Sequence, residues 1–344
     1  MLYVGLDLSR KRLDFDARLA DGEFVERGAV PPDADGLAGL VRRLGGAEVL
    51  AVIESMNGAR FVHDRLERLG WDVRIADAVK AKGLAPLACK TDKIDAWVLA
   101  ELARRDLVPE IWLPDPANRA ERERARFRLH LVKHRTALKN RVHSILIAHG
   151  TANPHSDLFG TGGRRMLERL QLPEPWRSTT TATLALIDVL DEQIDACERE
   201  LRRLGADHRY LPLLLTCPGI SWVLAYTIAA EIGDINRFPS PRKLIGYTGL
   251  TPRVDQSGDT DRRGPLRKNG PTYLRWALIE AAHTASRDRR YQPIVERHRA
   301  RHGQKRGSKL AALTIARKLS EAIWHMLTTN QPFAPAGAPC PLAA

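Results

Sequence analysis

The chain has 344 residues, and its 54 Lys and Arg against 41 Asp and Glu leave a formal net charge of +13. This length predicts two or three compact units, and the charge indicates a polyanionic partner, with a solubilising surface as the simpler alternative. Four scattered cysteines without a CxxC pair argue against a zinc site or a disulfide framework, and the lack of a long apolar run favours a cytoplasmic protein outside the membrane.

The N-terminal part alternates strand and helix patterns. The apolar runs at 2–8 and 48–55 predict buried strands, and Asp-Gly at 21–22 predicts a hairpin turn. The full set of predicted elements is strands at 2–8, 11–19, 23–30, 48–55 and 73–76, and helices at 34–44, 58–69 and 91–105. Three meandering strands followed by alternating helices and strands predict an α/β domain over 1–110, with a mixed sheet of the ribonuclease-H type. The absence of GxGxxG after the first strand argues against a Rossmann fold.

Two long helical patterns follow, at 118–149 and 178–204, in a middle region predicted over 117–206. Apolar residues spaced three and four apart in the second helix predict a coiled-coil seam, which the first helix matches less regularly. The predicted seam residues are Phe127, Leu131, Leu138, Val142 and Ile145, and Ile187, Leu190, Ile194, Cys197, Leu201 and Leu204. The pattern fits a hairpin within one chain and a dimer interface equally well.

The third region, 210–330, has an all-α character. Pro218-Gly219 before a helix of small residues resembles half of a helix-hairpin-helix, although a plain helical turn explains it equally well. The polar, Gly-rich segment 249–270 is predicted to be a long loop, of the kind that is usually functional. The Pro- and Ala-rich residues 331–344 are predicted to be a disordered tail.

Four carboxylates are candidates for one metal site. Asp7 and Glu54 each end an apolar strand, and Asp92 and Asp95 lie three apart on one helix. Carboxylate oxygens are the ligands that Mg²⁺ prefers, and a pair of such ions can activate a phosphodiester. Taken singly, each residue can equally be a turn former or a helix cap. Asp14 and Asp16 are predicted to lie on an exposed face of the second strand and are left out of the set.

Ser257 lies in the segment 249–270, ahead of a group of cations. These candidate nucleic-acid ligands are Arg262, Arg263, Arg267 and Lys268, with Arg275 on the next helix. A serine hydroxyl becomes a nucleophile when its proton is removed and the developing charge is stabilised, but a loop serine is more often a turn residue. Basic runs at 119–128 and 297–309 favour phosphate contacts. Tyr273, Trp276 and Tyr291 can stack on bases but are expected in the core.

Several motifs, taken in order, resemble one family. They are GLDLSRKRLDF at 5–15, VIES at 52–55, KTDKIDAWVLA at 90–100, and CPGI, AEIGD and LIGYTGLTPR between 217 and 253. Together they cover nearly the whole chain and resemble the IS110-type transposases, which combine a RuvC-like domain, a coiled-coil middle and a C-terminal transposase domain.

The resemblance implies a DEDD metal set at Asp7, Glu54, Asp92 and Asp95, with Mg²⁺ as cofactor, and a nucleophile at Ser257. It further implies a recombinase that forms a covalent phosphoserine link to donor and target DNA, with the metal site of another subunit completing the centre. Members of the family form dimers that pair into tetramers, and an element-encoded bridge RNA guides them by base pairing. Base pairing would leave shape and backbone contacts to the protein, which suits a chain with abundant Arg and Lys and only 6% aromatic residues.

Two other functions are consistent with parts of the pattern. A RuvC-like Holliday-junction nuclease would use the same carboxylates with water as the nucleophile, so Ser257 would be dispensable. A non-catalytic protein that binds RNA or DNA would need the basic residues alone, but the presence of all four carboxylates argues against a decayed site.

Overall fold

The computed structural model describes residues 1–84, 92–257, 260–267 and 269–334, with the backbone alone at 92, 93, 254–257, 260, 261 and 263. The chain forms two compact units, Met1–Pro114 and Asp115–Ala344. Within the described residues, no helix is both long and apolar enough to cross a bilayer.

Strands and helices alternate in the first unit. In chain order they are β1 (Leu2–Leu8), β2 (Leu13–Arg18), β3 (Phe24–Val30), α1 (Ala34–Leu44), β4 (Val49–Glu54), α2 (Ala59–Arg68), β5 (Asp72–Ala76), α3 (Ala78–Leu84) and α4 (Asp92–Arg104). The sequence patterns predicted each of these except α3, whose seven residues are too few to show helical periodicity.

The described strands of this unit form one mixed sheet in the order β3-β2-β1-β4-β5. β1 pairs antiparallel with β2 and parallel with β4, so it occupies the centre and β4 is the next strand inward from the β5 edge. Leu6 of β1 and Ile53 of β4 are fully buried in the same hydrophobic cluster. This order fits the predicted ribonuclease-H-like domain of the RuvC type.

The second unit is mainly helical. Its described elements are α5 (Pro116–Ala148), α6 (Thr161–Arg169), α7 (Trp176–Gly205), α8 (Leu211–Leu214), α9 (Trp222–Ile232), α10 (Pro241–Thr248), β6 (Pro252–Ser257), β7 (Thr260–Leu266), α11 (Thr272–Ala285), α12 (Gln292–His302) and α13 (Gln304–Thr329). A short 3₁₀ turn at Ile235–Arg237 joins α9 to α10.

α5 and α7 form an antiparallel pair within one chain. Arg124 is paired with Glu200, Arg128 with Glu198 and Arg135 with Asp191, so positions along α5 ascend while those along α7 descend. Ile187, Ile194 and Leu201 of the predicted seam are buried, as are Val142 and Ile145 of α5. The two long helices thus pair with each other within the chain, which is one of the two arrangements that the sequence left open.

Phe127 departs from the predicted seam. Its side chain is half exposed, and Ala125 and Leu129 take the buried positions on this part of α5. The prediction for Phe127 was wrong because α5 packs against α9 as well as against α7. Ala125 of α5 belongs to the core cluster that also contains Ile228 of α9.

The C-terminal helices α9, α11 and α13 build the core of the second unit, joined by Leu201 of α7. The first residues of the predicted tail also contact this core. Phe333 packs against it, and its backbone N–H donates to Oγ1 of Thr216 at 2.8 Å. Residues 335–344 lie outside the described residues.

The segment 249–270 is not the long loop that the sequence predicted. β6 and β7 pair in antiparallel register from Pro252 opposite Leu266 to Ser257 opposite Thr260. A polar, Gly-rich composition hides such a hairpin because the alternation of buried and exposed residues, which reveals a strand in a sequence, is lacking here.

Candidate active site

Asp7 and Glu54 lie side by side at the ends of neighbouring parallel strands. Leu6 is in register with Ile53, so the residues that follow them, Asp7 and Glu54, are level across the β1–β4 pair. Because successive side chains of a strand point to opposite faces, burial of Leu6 and Ile53 in one face directs both carboxylates to the other. Both carboxylate residues are half-buried.

Helix α4 covers the face of the sheet that carries these two carboxylates. Gly5 of β1 contacts its main chain, and a β-carbon at Gly5 would overlap the carbonyl oxygen of Ala96 and lie 2.5 Å from the backbone N of Ala100. Val52 of β4 packs with Leu99 in the same small cluster. Gly5 therefore sets how closely α4 approaches β1, and the sequence prediction of metal ligands did not include this position.

The direction of α4 brings its acidic end to the same edge of the sheet. At the C-terminal end of the helix, Nη1 of Arg104 donates to the carbonyl oxygen of Ala20 at 3.2 Å, just beyond β2, where β1 begins. The helix therefore runs antiparallel to β1. Its first residue, Asp92, and the half-buried Asp95 lie towards the end of β1 that carries Asp7.

The donor chemistry of this edge fits a hard divalent cation, since it consists of carboxylates. Among the side chains that the structure describes, no three His, Cys, Asp or Glu are grouped as metal ligands. The side chain of Asp92 lies outside the described ones, so the four-residue set predicted from the sequence stays a prediction. The backbone places its members on two adjacent strand ends and the first turn of one helix.

Asp14 and Asp16 are buried, and the prediction that they are exposed was wrong. Asp14 is in register with Asp7, and Asp16 with Gly5, so both lie under α4. Their charges are compensated by arginines: Arg12 pairs with Asp14 at 2.7 Å, and Arg18 and Arg27 pair with Asp16 at 2.8 and 2.5 Å. The alternation of polar and apolar residues predicted that one face of β2 is exposed to solvent, but α4 packs on that face. Asp14 is thus a fifth carboxylate beside the candidate metal ligands.

Ser257, the predicted nucleophile, is the last residue of β6, at the end of the hairpin farthest from its base. Arg262 is an exposed residue of β7. Arg263 lies in β7 and Arg267 directly after it, and Arg267 is exposed. The side chains of Ser257 and Arg263, and the whole of Lys268, lie outside what the structure describes.

Arg275 holds the base of this hairpin. Its Nη1 donates to the carbonyl oxygens of Thr248 at 3.3 Å and Asn269 at 3.5 Å, one on each side of the hairpin. Gly249 has a φ of 69°, and a β-carbon there would overlap the carbonyl oxygen of Asn269 and lie 2.6 Å from Nη1 of Arg275. From α13, Nε of Arg317 donates to the carbonyl oxygen of Leu250 at 2.7 Å. Two arginines therefore hold the base of the hairpin whose first strand ends at Ser257.

The basic run at 119–128 is largely compensated within the second unit. Glu231 of α9 is fully buried and accepts two hydrogen bonds from Arg126, at 2.7 and 2.9 Å. Nε of Arg122 lies 3.8 Å from the same carboxylate, and Arg124 and Arg128 pair with carboxylates of α7. The hydrogen bond and charge of Glu231 raise the pKa of Arg126 above its usual value despite the opposing effect of burial. These arginines hold α5 to α7 and α9.

The three aromatic residues considered for base stacking have mostly structural surroundings. Tyr291 is buried, and burial raises the pKa of its hydroxyl to about 12. Trp276 packs against the core. Arg126 and Lys133 lie over the ring of Tyr273, at 4.9 and 5.4 Å from its centroid.

Two family models match the chain. The model for DEDD-type IS110 transposases matches residues 4–149, and the model described as the transposase IS116/IS110/IS902 family matches residues 211–298. The chain belongs to the IS110 family of transposases. The match of the first model spans Asp7, Glu54, Asp92 and Asp95, and that of the second spans Ser257 and Arg275.

Curated relatives agree with this membership. The chain is 28% identical over 294 residues to the transposase of insertion sequence element IS1328 of Yersinia enterocolitica, covering 83% of this chain and 85% of that protein. It is 26% identical over 301 residues to a probable family 20 transposase of Pseudomonas aeruginosa, covering 83% and 86%. It is also 28% identical over 260 residues to the pilin gene-inverting protein of Moraxella bovis, covering 74% and 70%. This IS110-family transposase is accordingly an enzyme that acts on DNA.

Proposed function

We propose that this transposase cuts and rejoins DNA strands with Ser257 as its nucleophile and with Mg²⁺ held by Asp7, Glu54, Asp92 and Asp95. The observation that carries the proposal is the level placement of Asp7 and Glu54 on neighbouring strand ends, under a helix whose first residue is Asp92. Strand ends and a helix start supply side chains from rigid elements, as a metal site requires.

The proposed reaction exchanges one phosphodiester linkage for another. The Oγ atom of Ser257 forms a bond to a phosphorus atom of the DNA while a base accepts the hydroxyl proton of the serine. The bond from that phosphorus to one sugar oxygen breaks, and the sugar oxygen takes up a proton. The hydroxyl of a second strand then attacks the phosphoserine, which restores the serine and joins the new strand. Mg²⁺ would supply compensation of the charge that develops on the phosphoryl oxygens. The clamped hairpin supports this role because Ser257 sits on a structure with a fixed base.

A bridge RNA from the same element is proposed to choose the DNA sequence. When base pairing reads sequence, a protein needs mainly contacts with phosphates and helix shape. The formal charge of +13 and the 6% aromatic content of the chain suit that division of work.

A homodimer or tetramer is proposed as the working form. Leu186 and Val189 on α7 and Ile147 on α5 are more than half exposed, so the helix pair keeps apolar side chains outside its own contact. Sedimentation of the protein with and without RNA measures the oligomeric state, and a monomer under both conditions would contradict this part.

Trapping of a covalent intermediate tests the central proposal. The protein, the non-coding RNA of its element, Mg²⁺ and labelled donor and target DNA are mixed, quenched in denaturant and separated on a gel. We expect label on the wild-type protein and none on Ser257→Ala, whereas Ser178→Ala, an exposed serine of α7, should behave as wild type. Cleaved DNA without any adduct would instead indicate a RuvC-like nuclease that uses water. Activity that does not depend on the RNA would remove the guide from the proposal.

A further inference from the structure

The helical hairpin formed by α12 and α13 has an unusual charge composition. Residues 297–320, which cover its tip, contain no Asp or Glu. Its cations are Arg297, Arg299, Arg301, Lys305, Arg306, Lys309, Arg317 and Lys318. The six between 297 and 309 are all exposed.

These six cations have no carboxylate partner within ion-pair distance among the residues that the structure describes, in contrast to the run at 119–128. In that run Arg124, Arg126 and Arg128 each pair with a carboxylate. The two basic runs look alike in the sequence. Arginines of the first run form ion pairs within the protein, whereas the cations of the second run are exposed to solvent. A cluster of uncompensated cations costs stability by mutual repulsion and is a natural site for a polyanion.

The hairpin holds this charge in a fixed arrangement. Gly307 of α13 packs against α12 so closely that a β-carbon would lie 2.5 Å from the carbonyl oxygen of His298 and 2.6 Å from Cα of Arg299. Nε2 of His298 lies 3.0 Å from Oγ1 of Thr314, and Nε of Arg299 donates to Oγ of Ser308 at 3.0 Å. Burial, followed by the nearby positive charges of His302, Arg297 and Arg301, lowers the pKa of His298. Binding to such a surface loses little conformational entropy.

We propose that the tip of the α12–α13 hairpin is a docking surface for the phosphate backbone of duplex DNA. Residues 297–320 contain no Phe, Tyr or Trp, so the surface lacks the platforms on which unpaired bases stack. Arg and Lys side chains without such aromatic neighbours bind phosphates electrostatically, whatever the base sequence. DNA is favoured over other polyanions because the IS110 family acts on DNA. The inference requires only that the protein binds DNA, and it does not depend on whether Ser257 is the nucleophile.

Equilibrium binding without divalent metal tests the surface apart from the chemistry. A short labelled DNA duplex is titrated with wild type, with the triple variant Arg297→Gln, Arg301→Gln, Lys305→Gln, and with a control of equal charge loss, Arg199→Gln, Arg202→Gln, Arg203→Gln. The control residues are exposed cations of α7 in the same unit, where acidic residues lie among them. Binding of Ser257→Ala should equal that of wild type, so loss of catalysis and loss of docking are separate results.

We expect the hairpin variant to lose at least about tenfold in affinity near 0.1 M salt, with the slope of log K against log salt reduced by about 2–3, one for each lost phosphate contact. The control should lose much less, and circular dichroism should show that both variants are folded. An equal loss in both variants, or no loss in the hairpin variant, would overturn the proposal. Unchanged DNA binding with weakened binding of an RNA duplex would also overturn it and assign the surface to RNA.

Discussion

The carbonyl oxygen of Ala96 in α4 occupies the space where a β-carbon of residue 5 would stand, so Gly5 and Ala96 bring the helix into direct contact with β1. Gly5 lies two residues before Asp7 in the strand, and Ala96 lies four residues after Asp92 in the helix. The contact therefore joins the strand half and the helix half of the candidate metal set. The distance between those halves therefore depends on this contact.

Gly5→Ala should displace α4 and impair Mg²⁺-dependent cleavage. Overpacking a tight contact costs about 1–3 kcal/mol, which urea denaturation would measure as a loss in the free energy of unfolding. Gly39→Ala in α1 is the matched control, since the nearest atom to its β-carbon would be 3.9 Å away. That change should stabilise by about 0.5–1 kcal/mol and leave activity unchanged. Full activity of Gly5→Ala at wild-type stability would show that the contact does not set the site.

Asp7→Asn and Asp16→Asn should fail in different ways. Asp7→Asn removes a proposed metal ligand, so cleavage should be lost while thermal stability changes little. Asp16 is fully buried between Arg18 and Arg27, so Asp16→Asn should lower the free energy of unfolding by about 2–3 kcal/mol. Cleavage assays at several Mg²⁺ concentrations, together with thermal melts, distinguish the two. Wild-type cleavage by Asp7→Asn would remove this residue from the metal set.

Glu231→Gln should destabilise the second unit. The carboxylate is fully buried, and its loss removes the anion that pairs with the guanidinium group of Arg126, at a cost of about 3 kcal/mol. Glu200→Gln breaks the exposed pair with Arg124 and should cost less than about 1 kcal/mol. Chemical denaturation of both variants measures the difference. Equal stability would mean that the buried pair does not hold α5 to α9.

Arg275→Lys should loosen the Ser257 hairpin while keeping the positive charge. Lysine has one donor head instead of a planar fork and is not expected to reach both flanking carbonyl oxygens. We expect faster trypsin cleavage at Arg262 and Arg267 and a smaller yield of covalent adduct, with DNA affinity nearly unchanged. Arg242→Lys, an exposed position of α10, is the control. Lower DNA affinity without altered proteolysis would instead support the original prediction that Arg275 binds nucleic acid.

Much of the first unit was predictable because its patterns are local. Alternating and apolar runs mark strands wherever one face or both are buried, so β1, β4 and the ends that carry Asp7 and Glu54 could be placed from sequence. The amphipathic pattern of α4 likewise located Asp92 and Asp95 on one helix. Motif order added the resemblance to IS110 transposases, which the family models confirm.

The sequence by itself therefore determined most strands and helices of the first unit, the family and the candidate chemistry, because each depends on residues close together in the chain. The tertiary structure decided which charged side chains form ion pairs within the protein and which are exposed to solvent. Asp14 is buried beside Arg12, Arg126 is paired with the buried Glu231, Arg124 and Arg128 are paired with carboxylates of α7, and the cations at 297–309 are exposed. The free energy of a charged side chain depends on burial and on partners that are distant in sequence, and only the folded chain brings those partners together.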